Sequence, residues 1–225
     1  MSPLKKIRRG RIPGKEGWKG VLRLQQMKPA IIVVDMLKGG VGSNPSLKAE
    51  VERIVPNIRR LLKESRGLNI PIIFACDSFL PQDFMFKGKM KPHSIRGTNG
   101  VEVIEELKPE KGDMVLEKRR FSAFFRTDLD MTLRTLGLDT IVVCGMNTHV
   151  CVMFTAWDGL ANDFNVIILE NCCAAPKKEI HDAAINLYRN SPIYPLFRII
   201  TLSEFLAEAN NGLKTLPENG EILQE

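Results

Sequence analysis

Six short runs of β-branched and apolar residues restrict the architecture of this chain more than any other feature: AIIVVD at 30–35, PIIFACD at 71–77, MVLEK at 114–118, TIVVCG at 140–145, NVIILE at 165–170 and FRIITL at 197–202. Each has the length and composition of a buried strand. Between them stand SLKAEVERIVPNIRRLLKESRG, GVEVIEELK, TDLDMTLRTLGL, THVCVMFTAWDGLAND and PKKEIHDAAINLYRN, whose apolar residues recur at helical spacing. Pro56 interrupts the first of these and predicts a kink or a division there. Strands apolar on both faces, alternating with helices, predict a parallel sheet covered on both sides. The fold class is therefore α/β, a three-layer α/β/α arrangement around a central, mostly parallel sheet of about six strands.

Two segments stand outside this alternation. Residues 77–99, DSFLPQDFMFKGKMKPHSIRGTN, read as a long irregular loop, and such loops in compact domains more often carry function than not. Residues 1–27 hold eight lysines and arginines against Glu16 alone, a surplus of seven, whereas the whole chain carries +6. The remainder is thus close to neutral, and the basic balance belongs to an N-terminal extension. We divide the chain into that extension at 1–27, a folded domain at 28–210 and a C-terminal tail at 211–225. The extension reads chiefly as a disordered or partner-packing arm, with a nucleic-acid or anionic-surface role as the lesser alternative for its charge, and nucleic acid is not the expected partner. It lacks the apolar core of a signal peptide, and no apolar run approaches the roughly 18 residues of a membrane span. Five cysteines, two of them adjacent at Cys172 and Cys173, suit free thiols in a reducing, cytoplasmic setting.

In an open parallel sheet, ligands bind beyond the carboxyl ends of the strands. Those ends carry Asp35, Asp77, Lys118 and the turn from Gly145 to Cys151. Each residue alone has an ordinary reading: Asp35 as a turn former, Lys118 as a solvated lysine. Their convergence on one edge of the sheet is what points to catalysis. Cys144, inside IVVCG, reads as a small core hydrophobe, whereas Cys151 falls in the first turn of the helix that begins near Thr148. A helix N-terminus and a neighbouring lysine both lower a thiol's pKa, and a carboxylate nearby can accept its proton. Free N–H groups from Asn147 to Cys151 can hold an oxyanion.

On IIVVDM with Asp35, PHSIRGTNG ahead of GDMVLEKRRFSAFFRTDLDMTL with Lys118, and VVCGMNTHVCVMFTAWDGL with Cys151, the chain resembles the isochorismatase-like cysteine hydrolases over roughly residues 28–205. This group contains nicotinamidase and N-carbamoylsarcosine amidase. The resemblance implies an Asp35-Lys118-Cys151 triad in which Asp35 moves the proton, Lys118 steadies negative charge and Cys151 forms a thioester. It also implies a cis peptide at Met146-Asn147 and an oxyanion hole built from the backbone amides of Asn147 and Cys151. Nicotinamidases hold a divalent metal through Asp-x-His and a later His. Here Asp77 is followed two residues later by Phe79, so only Asp77 and His93 match, with Asp83 in the same loop, and this falls short of a usual ligand set. No cofactor is expected to be required. The loss turns the expected substrate from nicotinamide towards a small amide held by charge. Asp77, Phe79 and His93 would then shape its site, and Arg96 or Arg120 would grip a carboxylate, although either arginine reads equally as a surface or interface residue.

The function expected is hydrolysis of a small C–N amide, with a homo-oligomer as the expected assembly. The alternatives are a regulatory binding protein on the same fold, an isochorismatase-type hydrolase of another metabolite, and a redox protein pairing Cys151 with Cys172 or Cys173. The last requires two thiols within disulfide reach.

Overall fold

The computed structural model of the protein describes residues 27–42 and 45–213. Its six strands are β1 Pro29–Val34, β2 Ile72–Asp77, β3 Met114–Lys118, β4 Thr140–Met146, β5 Asn165–Ala174 and β6 Phe197–Ile200. They form one sheet in the order β3-β2-β1-β4-β5-β6, and every neighbouring pair is parallel. This is a doubly wound order, with β1 and β4 adjacent at the point where the winding reverses. β2 and β4 are buried at every position, as strands covered on both faces must be. The edge strand β3 alternates half-buried and exposed residues until it ends at buried Lys118.

Helices flank the sheet: α1 Lys38–Gly42, α2 Pro45–Gly67, α3 Leu129–Thr135, α4 Met153–Ala161, α5 Lys178–Arg189 and α6 Leu202–Leu213. The face of α2 with Leu47, Val51, Ile54, Val55, Ile58, Leu61 and Leu62 is buried, at the i, i+3, i+4 spacing of one helical stripe. α2 packs on β5 and against α6, while α4 and α5 gather around the turn after β4. The result is the three-layer α/β/α arrangement. Among the described residues, no helix is long and apolar enough to cross a membrane.

Four local expectations change. Pro56 does not divide its helix, because α2 is continuous around it and the ring sits on the exposed side, so the loss is confined to one backbone bond. The segment GVEVIEELK makes two single 3-10 turns, Asn99–Val101 and Glu105–Leu107. Val103 between them is held extended by an antiparallel bridge to Leu37, and Ile104 N–H donates to Met36 C=O at 3.0 Å, so tertiary pairing overrides the helical pattern. The helix after β4 opens with a π turn over Thr148–Val152 before α4 begins. Finally, β5 runs past Glu170 to Ala174, through a register shift opposite β4, so Cys172 and Cys173 lie inside the strand.

The basic extension lies outside the described residues except for Met27, which is buried in the core. α6 runs to Leu213, three residues into the segment assigned to the C-terminal tail.

The loop at 77–99 is less irregular than its sequence suggests. Phe79 N–H donates to Ser94 C=O at 3.0 Å and Arg96 N–H to Phe79 C=O at 2.8 Å, folding the loop back on itself. Phe79, 1% exposed, pins this closure by edge contacts to Phe86 and His93, with ring centroids 5.2 and 5.6 Å away.

Candidate active site

Asp35 is the first residue past β1, and its backbone turns through φ 53. A left-handed conformation is costly for a residue with a Cβ, though least so for Asn and Asp, and such positions collect at functional sites. The turn is held by Asp35 N–H donating to Ala75 C=O at 2.9 Å, and Asp35 Oδ1 accepts from Asp77 N–H at 2.8 Å. Strand register sets Lys118 opposite Asp77 across the edge of the sheet. From there Lys118 Nζ donates to Asp35 Oδ2 at 2.7 Å, to Asp77 Oδ1 at 2.5 Å and to Arg120 C=O at 3.3 Å. Those contacts use all three ammonium protons, and the lysine side chain is 0% exposed.

Cys151 is supplied from the other side of the winding reversal. Gly145, opposite Val34 in the register, has φ 107, and a Cβ there would stand 2.2 Å from Val34 C=O. Only glycine lets β4 approach β1 this closely. The Met146-Asn147 peptide beyond it is cis, as the resemblance implied. The π turn then carries Cys151 to a point where its sulfur and one oxygen each of Asp35 and Asp77 lie within 4.8 Å of one another. Residues from three separate strand ends thus meet around one buried ammonium.

The electrostatics differ in sign from the sequence expectation for the thiol. Burial pushes Cys151 well above the usual thiol range; Lys118 pulls it down, while Asp35 and Asp77 add to the rise. Depth of burial outweighs the lysine, so the resting group is a thiol beside the Asp35 carboxylate. Burial also pushes Asp77 up to about 7, reinforced by Asp35 and opposed by Lys118. Lys118 is pulled down by its own burial, but Asp35, Cys151 and Asp77 outweigh this and hold its pKa above the usual value. Cys144 is fully buried, and burial raises its pKa strongly, as suits an inert core thiol.

A cavity of about 300 Å³ opens beside these groups. Asp35, Asp77, His93, Asn147 and Cys151 of the expected residues line it. Phe79 does not; it lies beneath, packed on His93. Arg96 and Arg120 do not reach it either. Arg96 pairs with Glu117 at 2.6 Å and with Ser78 Oγ at 2.9 Å, while Arg120 pairs with Asp83 at 3.2 Å, and both line a neighbouring cleft. The expectation that either grips a carboxylate within the site is therefore corrected, because each guanidinium is engaged by a carboxylate of the protein, Arg96 by Glu117 and Arg120 by the Asp83 it shares with Arg119. Asp83 is not a ligand candidate: Arg119 binds it through two contacts at 2.6 and 3.1 Å, and these hold its carboxyl below the usual range.

The metal implied by nicotinamidases fails the same test. Among the described residues, the group of three metal-capable side chains with donors drawn together is Asp35, Asp77 and Cys151, and the Lys118 ammonium already stands as its cation. His93 is not part of that group, and its Nδ1 donates to Lys91 C=O at 2.9 Å. These residues do not fit a divalent ion.

Reading the sequence alone passed over the apolar wall of the cavity, formed by Leu37, Leu47, Met90, Phe121 and Val150, and over Ser94 at its edge. It also missed His181 on α5, whose Nδ1 lies 2.8 Å from Thr148 Oγ1, both residues being buried. The apolar face of α2 is a signal for Leu47; nothing local marks Met90.

A family model described as "Isochorismatase domain" matches residues 29–203. The crystal structure of N-carbamoylsarcosine amidase from Thermoplasma acidophilum is similar at a TM-score of 0.67 and 32% identity, covering 78% of this chain and 97% of that one. Ureidoacrylate amidohydrolase RutB of Pantoea ananatis is 31% identical over 171 residues, 63% of this chain and 67% of that protein. An Arabidopsis thaliana protein named as a probable inactive nicotinamidase is 32% identical over 168 residues, 69% of this chain and 85% of that protein.

Proposed function

This chain belongs to the isochorismatase family of hydrolases, and on that premise we propose that it cleaves the C–N bond of a small amide through a thioester at Cys151. The single observation that carries the proposal is the meeting of Asp35, Lys118 and Cys151 at the edge of the sheet. The resting thiol needs a base in contact, and Asp35 is that base. As the sulfur attacks the amide carbon, its proton passes to Asp35. The negative charge that develops on the carbonyl oxygen meets the backbone N–H groups of Asn147 and Cys151, with the Lys118 ammonium behind them. Collapse breaks the C–N bond, and Asp35 returns the proton to the departing nitrogen. Water then attacks the thioester while Asp35 accepts its proton, releasing the acid and restoring the thiol.

Two of the relatives described above are named for amide hydrolysis, which favours the same bond class. The test is ammonia release from nicotinamide, pyrazinamide, N-carbamoylsarcosine and simple primary and ureido amides, with Cys151→Ala as the control. Release by the wild type and not by the variant is expected. No release from any member of the panel would overturn the proposal.

A further inference from the structure

The cavity beside Cys151 is unusual in its charge. Among the described residues, no arginine or lysine lines it. Lys118 lies behind it with no exposed surface and with its protons committed to two carboxylates and a carbonyl. Arg96 and Arg120, the nearest candidates by sequence, face the adjoining cleft and are paired there with Glu117 and Asp83. Two acidic residues, Asp35 and Asp77, do line the cavity. A carboxylate entering this space would lose its hydration, find no cation and stand close to like charge, all of which disfavour it.

The rest of the lining is selective in the opposite sense. Leu37, Leu47, Met90, Phe121 and Val150 offer apolar contact. Ser94 and Asn147 add polar residues to the same wall, although their unpaired side-chain oxygens, Ser94 Oγ and Asn147 Oδ1, are themselves buried.

We propose that the site selects uncharged amides with an apolar non-reacting end, and rejects amides of the same size that carry a carboxylate. The amide part of this statement rests on the proposed function; the selection by charge rests on the cavity alone.

The experiment uses the full chain in two arms. In the first, Cys151 is alkylated with iodoacetamide or iodoacetate, each rate being divided by that reagent's rate with glutathione, and the modified peptide is identified by mass spectrometry. Iodoacetamide should be favoured by about 10-fold or more after this correction, a size typical of an uncompensated charge in a closed site. Parity, or a preference for iodoacetate, would overturn the proposal. Met90→Arg, which sets a cation in the wall, should bring the ratio close to or below one; an unchanged ratio would count against the cavity as its cause. In the second arm, kcat/KM for methyl succinamate should exceed that for succinamate by about 100-fold. Equal turnover of the two would sink charge selection while leaving the amidase reading intact. Hydrolysis of neither, with no ammonia released from the amide panel above and iodoacetamide still preferred, would sink the amidase reading and leave charge selection standing.

Discussion

Lys118 Nζ lies 2.7 Å from Asp35 Oδ2, although 83 residues separate the two along the chain. The pair reaches from the edge strand β3 past β2 to the end of β1, and Asp77 closes it from the strand between. Removing the lysine would therefore leave two carboxylates buried without a cation. Lys118→Met should cost about 3–5 kcal/mol at pH 7, the usual penalty for breaking a buried pair. The orphaned acids take up protons on acidification, so the deficit should shrink at pH 5. Urea denaturation at the two pH values checks both expectations, and an equal deficit at each would refute the electrostatic account.

Exchange of Cys151 for Ala should lower ammonia release by about 10⁴-fold or more, the size expected when a covalent nucleophile is lost. Cys144→Ser should leave turnover nearly unchanged and cost about 1–2 kcal/mol of stability, since it buries a hydroxyl in an apolar strand. Kinetics and thermal unfolding of the two variants separate the roles. A Cys144→Ser enzyme that folds normally but is inactive would reverse the assignment.

Asp77 gives a stability signature with a definite sign. Burial and Asp35 push its pKa up to about 7, above the usual 3.8 of the free side chain. Its contribution is therefore fully present below about pH 4 and is lost as pH rises through about 7. Wild type should lose stability across this window relative to Asp77→Asn, which has no proton to release. Unfolding free energies measured at pH 4.5, 6 and 7.5 for both proteins provide the check, and parallel profiles would contradict it.

Gly145→Ala should destabilise by about 3 kcal/mol, since it combines strained backbone with a backbone collision. Its Cβ would meet Val34 C=O at 2.2 Å, at φ 107. The collision parts β1 from β4, so the loss of turnover should exceed that expected from the fraction unfolded. Activity per folded molecule at low temperature is the measurement, and full specific activity would show that the close approach matters to stability alone.

Much of the fold was legible because parallel strands buried on both faces leave unbroken apolar runs, and β1, β2, β3 and β4 fall within a residue of those runs. Residues at strand ends could likewise be read off, since topology alone gathers Asp35, Asp77, Lys118 and Cys151. What could not be read depends on partners distant in sequence. The turns at 99–107 answer to the pairing of Val103 with Leu37, and the engagement of Arg96 and Arg120 answers to Glu117 and Asp83. The direction of the Cys151 shift was misread for the same reason: a helix start is written locally, whereas depth of burial is a property of the whole sheet.

The doubly wound strand order makes the proposed reaction centre a joint between two half-molecules. One wing, through β3, carries Asp35, Asp77 and Lys118; the other, from β4 onward, carries Cys151. Neither wing alone holds both the proposed nucleophile and its proposed base. In the proposed reaction, therefore, neither half can act until β4 has paired with β1.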